Sequence, residues 1–351
     1  MGLFRRLFSQ SDDKDDPVAS TKDLISPEQE DDISKALTDT LSADYHDEAE
    51  TVPVGNPDMD TRPQNMDLSM VNEIAEDDGK TRPLAIETIV STRNDHLIFG
   101  QSTDVGMVRT NNQDAVLSFY FTSRSSEERP DFGLFLVADG MGGHHDGEKA
   151  SSETIQTVAT EVTQNIYLPI ISNEFNEKHN TSITEMLISA VQKANQQVIA
   201  HIPDGGTTLS GVMVIRDLAY IVHVGDSRIY IVTKDGIEQV TRDHSLVQRL
   251  IELDQLTYEE ALEHPQKNVL YRALGQNESL EVDAITRRLP PASRILICSD
   301  GLWNLVQDED ICEIVMNNDN PQVACDKLVA LANTRGGTDN ITTVLLHVPS
   351  T

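Results

Sequence analysis

Five aspartates stand where predicted strands end: Asp114, Asp139, Asp204, Asp300 and Asp339. Four are followed by a residue that permits close approach or adds an oxygen, namely Gly140, Gly205, Gly301 and Asn340. Carboxylates with no nearby thiolates and few histidines form a hard-oxygen donor set, which selects Mg²⁺ or Mn²⁺ over zinc or copper. Ligands drawn from segments this far apart in the chain need a preassembled cleft, most simply one between two sheets. Two such ions close together can hold a bridging water, lower its pKa and present it as hydroxide to an electrophile. Arg109, five residues before Asp114, adds a guanidinium whose fork fits two phosphate oxygens. A metal pair with an arginine clamp is the equipment of phosphate-ester hydrolysis.

The stretch that organises these residues is Phe135 to Ser151, FLVADGMGGHHDGEKAS. Its apolar run, Phe135 to Ala138, reads as a buried strand that delivers Asp139 at its end. Gly140, Gly142 and Gly143 then let the backbone turn sharply and approach an ion or phosphate. Ahead of it, HLIFGQSTDVG reads as a strand running into a turn and AVLSFYF as another strand. Behind it, Ile155, Val158, Ala159, Val162 and Ile166 keep helical spacing, as do Leu187, Ala190, Val191, Ala194 and Val198 in a second helix over 182–202. The pattern next switches to period two: LSGVMVI, LAYIVHV, RIYIV and IEQV, joined by short polar turns, predict an antiparallel meander. Helical spacing returns from Ser245 to Glu263, and RILICSDG is again a buried strand. Residues 308–333 read as two helices, the second opened by Asn320 and Pro321, and NITTVLLHV is a final strand. Strands in runs with helices grouped between them define an α+β class, antiparallel sheets with helices on their outer faces.

The first 95 residues have another character. They hold 23 acidic against 9 basic side chains, with scattered prolines and little apolar periodicity. Such a stretch cannot bury enough surface to offset its ordering entropy, so 1–95 is expected to be an acidic, largely disordered tail and 96–351 the catalytic domain. Thr61 and Thr81 sit in two copies of Thr-Arg-Pro. Chance is the default for so short a repeat; the sharper reading makes them kinase targets, read by a phosphothreonine-binding domain. The whole chain of 351 residues carries a formal charge of −31, which argues against nucleic acid as a partner. Three cysteines without paired spacing fit a reducing compartment, and no stretch approaches 18 apolar residues. A cytoplasmic location without a membrane span is the expectation.

TDVGMVRTNNQDAV, VADGMGGHHDGEKAS, GGTTLSGVMVI, VHVGDSRIYIV, RDHSLV, LYRALG, ICSDGLWNLV and GTDNITTVLL stand in this order along the chain. Together they resemble the metal-dependent serine/threonine protein phosphatases of the 2C type, bacterial branch, over about residues 98 to 348. Each motif alone is modest, but the ordered set is specific. The resemblance implies a four-layer α-β-β-α sandwich of two antiparallel sheets flanked by helices, with metals in the channel between the sheets. It implies that Asp139 and the Gly140 carbonyl hold a pair of Mn²⁺ or Mg²⁺ ions, that Asp300 and Asp339 are ligands, and that Asp114 helps directly or through water. Asp204 matches the place of a weaker third ion, although Gly205 stands where the family often has methionine. Arg109 matches the phosphate-binding arginine. His144 matches a histidine at the cleft mouth, which with a metal-bound water is one of two candidates for the general acid, since Met141 replaces the histidine of eukaryotic members. Gln113 stands where many members carry glutamate. The implied reaction is in-line attack of a metal-bridging hydroxide on phosphoserine or phosphothreonine in proteins, opposing Ser/Thr kinases.

Weighed against these are plainer roles. Asp226 and Arg228 are expected to form a structural ion pair or turn hydrogen bonds, His223 to be a satisfied core histidine, and Trp303 and Leu305 to be core. The acidic residues Glu252 to Glu263 are expected on a solvated helix face. The rival to an enzyme is a binding-only scaffold of the same fold, against which the full set of aspartates and Arg109 speaks.

Overall fold

The computed structural model describes residues 96–122, 130–142, 146–175 and 181–350. The chain divides into two units, Met1–Ala85 and Ile86–Thr351, and the described residues all lie in the second. The acidic stretch 1–95, with Thr61 and Thr81, lies outside them.

Strands β1 (Ile98–Asp104), β2 (Asp114–Phe121) and β3 (Phe132–Gly142) come first. Helix α1 (Asp146–Val162) runs through one π turn into α2 (Leu168–Ile171), and α3 (Ile183–His201) follows. Then come β4 (Gly205–Thr207), β5 (Leu209–Ile215), β6 (Leu218–Val224), β7 (Arg228–Thr233) and β8 (Gly236–Gln239). Two short helices, α4 (Leu246–Glu252) and α5 (Tyr258–Leu262), precede β9 (Asp283–Arg288) and β10 (Arg294–Cys298). Helices α6 (Asp300–Trp303), α7 (Asp308–Met316) and α8 (Pro321–Thr334) lead to β11 (Ile341–His347). One sheet has the order β1-β11-β10-β7-β8 and the other β2-β3-β5-β6-β9, with β4 also paired to β3. The strand pairs are antiparallel.

Period-two alternation builds the layers. In β3, Leu134, Leu136 and Ala138 pack under α1 and α3. Phe135 and Val137 instead meet Ile295, Ile297, Val344 and Leu346 of the other sheet. In β10, Leu296 and Cys298 pack with Leu302, Ile311 and Leu328 of α6, α7 and α8. The result is helices, sheet, sheet, helices, the four-layer sandwich that the sequence implied. Local signals set the helix starts. Ser182 and Glu185 form a reciprocal capping box at α3, and the Asn320 side chain caps α8, whose first residue is Pro321.

Three details differ from the sequence-based expectation. The predicted meander is two hairpins in different sheets: β5–β6 in one, β7–β8 in the other. The chain crosses at Gly225-Asp226-Ser227, where Gly225 has φ +111° and lies against Thr208, a place with no room for a side chain. The helical run 245–263 breaks into α4 and α5, with Asp254 at φ +54° between them. Two short strands, β4 and β9, complete the sheet around β3 and β6 without having been foreseen.

The helix layer over the first sheet sits on the strands with no slack. A methyl group at Gly100 of β1 would overlap the Gln322 and Pro321 backbone at the start of α8. Gly100→Ala should therefore cost about 1–3 kcal/mol of stability, or more if α8 cannot shift. Urea unfolding of the two proteins measures it; equal midpoints would mean that the contact is looser than described.

Candidate active site

The alternation that buries Phe135 and Val137 between the sheets places Asp139 on the same side, where the inter-sheet core ends. Asp114 lies directly opposite it in the β2–β3 register. At Asp139 the β3 ladder is interrupted, between its pairing with β5 and its pairing with β4. Hydroxyls fill the gap: the Asp139 amide donates to Thr208 Oγ1 at 2.9 Å, and Thr207 Oγ1 and the Thr208 amide donate back to the Asp139 carbonyl. Gly140 continues the strand rather than turning. Its amide donates to the Gln113 carbonyl at 3.1 Å, and an added Cβ would strike Gly147 at the start of α1 and lie 2.7 Å from that carbonyl. The turn that the glycines predict comes later, at Gly142, with φ +134°.

From the other sheet, β10 leads through Ser299 into Asp300, the first residue of α6, and Asp339-Asn340 precede β11. Ser299 Oγ donates to Asp114 Oδ2 at 2.7 Å, which ties the two sheets together. The Asn340 carboxamide holds the loop that carries Arg109. It donates to the Val105 and Asn111 carbonyls at 2.8 and 2.9 Å and accepts from the Gln113 amide at 2.8 Å. Arg109 Nη2 donates to Asp339 Oδ2 at 2.7 Å, and its side chain is 48% exposed. The cleft so formed has a volume of about 200 Å³, and Arg109, Asp139, Asp226, Asp300, Asp339 and Asn268 all line it.

Crowded, buried carboxylates repel one another and resist ionisation. Burial above all, then the neighbouring aspartates, holds Asp139 and Asp300 well above the usual carboxylate range. Burial pushes Asp114 up to about 6, against the hydrogen bonds from Thr342 and Ser299. Asp226 is pushed to about 7 by burial and by Asp243. Arg109 moves the other way, its charged form favoured by its bond to Asp339.

The structure thus brings together Arg109, Asp114, Asp139, Gly140, Asp300 and Asp339. Asp204 is exposed, in the turn before β4, and its side chain is not among those lining the cleft. His144 lies outside the described residues. The expected Asp226–Arg228 pair is not formed. Arg228 binds Asp243 instead, through Nε and through Nη2 at 2.8 Å, and stacks on Trp303 at 3.6 Å. Asp226 is left facing Asp300 and Asp139 across the cleft, a residue that sequence reasoning set aside. Its one available signal was its place in the polar turn Gly225-Asp226-Ser227 between two strands. His223 is the satisfied core histidine expected, between Ser210 Oγ and the Arg242 carbonyl, and burial drives its pKa to about 3. Trp303 and Leu305 pack against the core beneath α6–α8. Glu252, by contrast, is tied to Arg242 and Arg249 rather than simply solvated.

The family model for protein phosphatase 2C matches residues 108–330. A putative protein phosphatase 2C-type of Streptococcus pyogenes is 34% identical over 250 residues, 70% of this chain and 95% of that protein. The serine/threonine phosphatase stp of Listeria innocua is 32% identical over 251 residues, 70% of this chain and 93% of its own. Among solved structures, the Mycobacterium tuberculosis serine/threonine phosphatase PstP/Ppp superposes with a TM-score of 0.59 at 31% identity, covering 72% of this chain and 98% of that one. A second structure of the PstP catalytic domain, in complex with two manganese ions, gives 0.57 at 30% identity, with coverage of 72% and 97%. The family match and the shared fold place this cleft between two antiparallel sheets in the class of metal-dependent phosphatases. The chain belongs to the protein phosphatase 2C family and is a protein-serine/threonine phosphatase.

That family is metal-dependent, and the donor set here suits a hard divalent cation. Among the described residues no group of three or more His, Cys, Asp or Glu side chains is arranged to hold an ion as it stands. The fit is electrostatic: Asp114 Oδ1 and Asp300 Oδ1 are buried without a partner, and the carboxylates around them exceed the positive charge that Arg109 brings.

This crowding has a measurable sign. The folded pKa of Asp114, about 6, lies above its unfolded value, so folding is favoured by the proton and that contribution is lost as pH rises from about 4 through about 6. Metal-free Asp114→Asn, which can still accept from Ser299, should be more stable than the parent at pH 8 by at most about 3 kcal/mol, with no difference near pH 4. Urea unfolding in EDTA across that range reads it. A variant less stable than the parent at pH 8 would contradict the cost assigned to the buried charge.

Proposed function

We propose that the protein removes phosphate from phosphoserine and phosphothreonine in phosphorylated proteins, opposing Ser/Thr protein kinases, and that it works in the cytoplasm. The observation that carries this reading is the convergence of Asp139, Asp300 and Asp339 on one small cleft, with Asp114 opposite Asp139 behind it and Arg109 at its rim. Asp139, the Gly140 carbonyl, Asp300 and Asp339 would hold two Mn²⁺ or Mg²⁺ ions, with Asp114 assisting; Asp204 remains the candidate for a third from its turn beside β4. Bound there, the ions supply Lewis acidity toward water and toward the phosphoryl oxygens. The chain's own residues do the positioning. Arg109, anchored by Asp339 and half exposed, offers its guanidinium to the equatorial oxygens of an incoming phosphoryl group. Thr208 and Ser227, hydroxyl to hydroxyl at 2.7 Å, hold the Asp139 backbone against the crossing between the sheets. Asp226, buried beside Asp300, adds negative charge that a metal would relieve. His144 is the proposed proton donor to the leaving group.

The catalytic domain would comprise residues 96–351, and the acidic tail 1–95, through Thr61 or Thr81, would engage a phosphothreonine-binding domain. The reducing location is supported by three free cysteines, Cys298, Cys312 and Cys325. No helix among the described residues is long and apolar enough to cross a membrane.

Hydrolysis of a phosphothreonine peptide should require Mn²⁺ or Mg²⁺, stop with EDTA, and fall by about 10²-fold or more in Asp139→Asn. Arg109→Ala should lose kcat/KM chiefly through KM if the guanidinium mainly binds the phosphate. Turnover that survives both EDTA and Asp139→Asn would sink the proposed site.

A further inference from the structure

Between β6 and β7 the chain crosses from one sheet to the other through Gly225, Asp226 and Ser227. Each of the three is fixed by bonds that leave the Asp226 side chain out. The Gly225 amide donates to His244 Nδ1 at 3.0 Å, and the His244 amide donates to the Gly225 carbonyl at 2.7 Å. The Ser227 hydroxyl meets that of Thr208 at 2.7 Å, and its carbonyl accepts from Ser210 Oγ at 2.7 Å. The Asp226 carbonyl accepts from Trp303 Nε1 at 3.0 Å. Trp303 closes the single turn of α6 that Asp300 opens, so this bond also ties the Asp226 backbone to the helix of Asp300.

The side chain has no counter-charge of its own. Asp226 is 7% exposed, and the hydrogen bond that its carboxylate accepts comes from its own amide. Arg228, two residues on, is engaged elsewhere: Nε and Nη2 bind Asp243, Nη1 binds the Tyr230 hydroxyl at 3.1 Å, and the guanidinium lies over Trp303. Asp243, buried as deeply, thus holds the cation that Asp226 lacks. Asp114 Oδ1 and Asp300 Oδ1 are sealed in protein without a partner; neither Asp226 oxygen is, and the residue lines the cleft with Asp139, Asp300 and Asp339. After burial, Asp226 is the neighbour that most opposes ionisation of Asp300. A carboxylate withdrawn from water and kept from its nearest arginine is costly unless a cation meets it.

We propose that Asp226 is a further carboxylate of the metal site, facing the cation on the Asp300 side of the cleft and strengthening its hold. This rests on the metal-site reading above and adds a residue to it. The crossing is held by backbone and hydroxyl bonds, so the carboxylate is not needed to make the turn. Neutralising it therefore acts with opposite sign in two states. The metal-free cleft loses a repulsion, and the loaded cleft loses an attraction.

The test is calorimetric titration of Mn²⁺ into the full-length protein, freed of metal with EDTA and dialysed. Asp226→Asn should weaken Mn²⁺ binding about tenfold or more. Asp235→Asn, the same change of charge at an exposed residue away from the cleft, should bind as the parent does. Thermal unfolding separates this role from a structural one. In EDTA at pH 8, Asp226→Asn should melt no lower than the parent, while its rise in Tm on adding Mn²⁺ is smaller. Parent-like Mn²⁺ affinity in Asp226→Asn, an equal loss in Asp235→Asn, or a lower Tm of Asp226→Asn in EDTA would overturn the assignment. Failure of the site reading itself looks different: Asp139→Asn would then bind Mn²⁺ as tightly as the parent.

Discussion

The carboxamide of Asn340 is the contact on which the cleft depends. It sits just before β11, yet its three hydrogen bonds all reach residues 105–113, the loop that ends in Asp114 and carries Arg109. The loop has no regular structure of its own between β1 and β2, and side-chain bonds to one asparagine take the place of a ladder. Each such bond contributes about 1 kcal/mol net, but a buried backbone group left without its partner costs more than the bond is worth. Fixing the loop therefore fixes Arg109 over Asp339 and Asp114 beside Asp139 together.

Around that clamp, the sheets tolerate a group of residues that any core would reject. Asp114, Asp139, Asp226 and Asp300 are held above the normal carboxylate range by burial first and by neighbouring aspartates second. Stability comes from elsewhere: the apolar layers beneath both sets of helices and the strip between the sheets. The acidic cleft costs free energy in the metal-free chain, and a divalent cation is the natural counterweight.

Much of this was legible from residue order. An apolar run ending in Asp139-Gly140 announced a strand that leads to chemistry, and β3 does so, although it runs on through Gly140 to Gly142 before it turns. Asp300 and Asp339 followed by the same logic, and the fold class followed from the change between periods of 2 and 3.6. What was hidden was partner choice across sequence distance. Arg228, two residues from Asp226, looks like its ion partner, but the crossing at Gly225 turns the aspartate into the cleft while the arginine is taken by Asp243. Asp204 was nominated by its place at an element's end and by its neighbouring glycine as well as by the resemblance, but the structure leaves it exposed and off the cleft lining.

Gly140 and Gly147 bring strand and helix into backbone-to-backbone contact, with no side chain between them. Such a joint has no adjustable filler. A pair of ordinary core residues can drift by reciprocal exchanges of size, one shrinking as the other grows, but two glycines in mutual contact have no smaller residue to exchange for. The seam between β3 and α1 is thus a point where sequence divergence must halt.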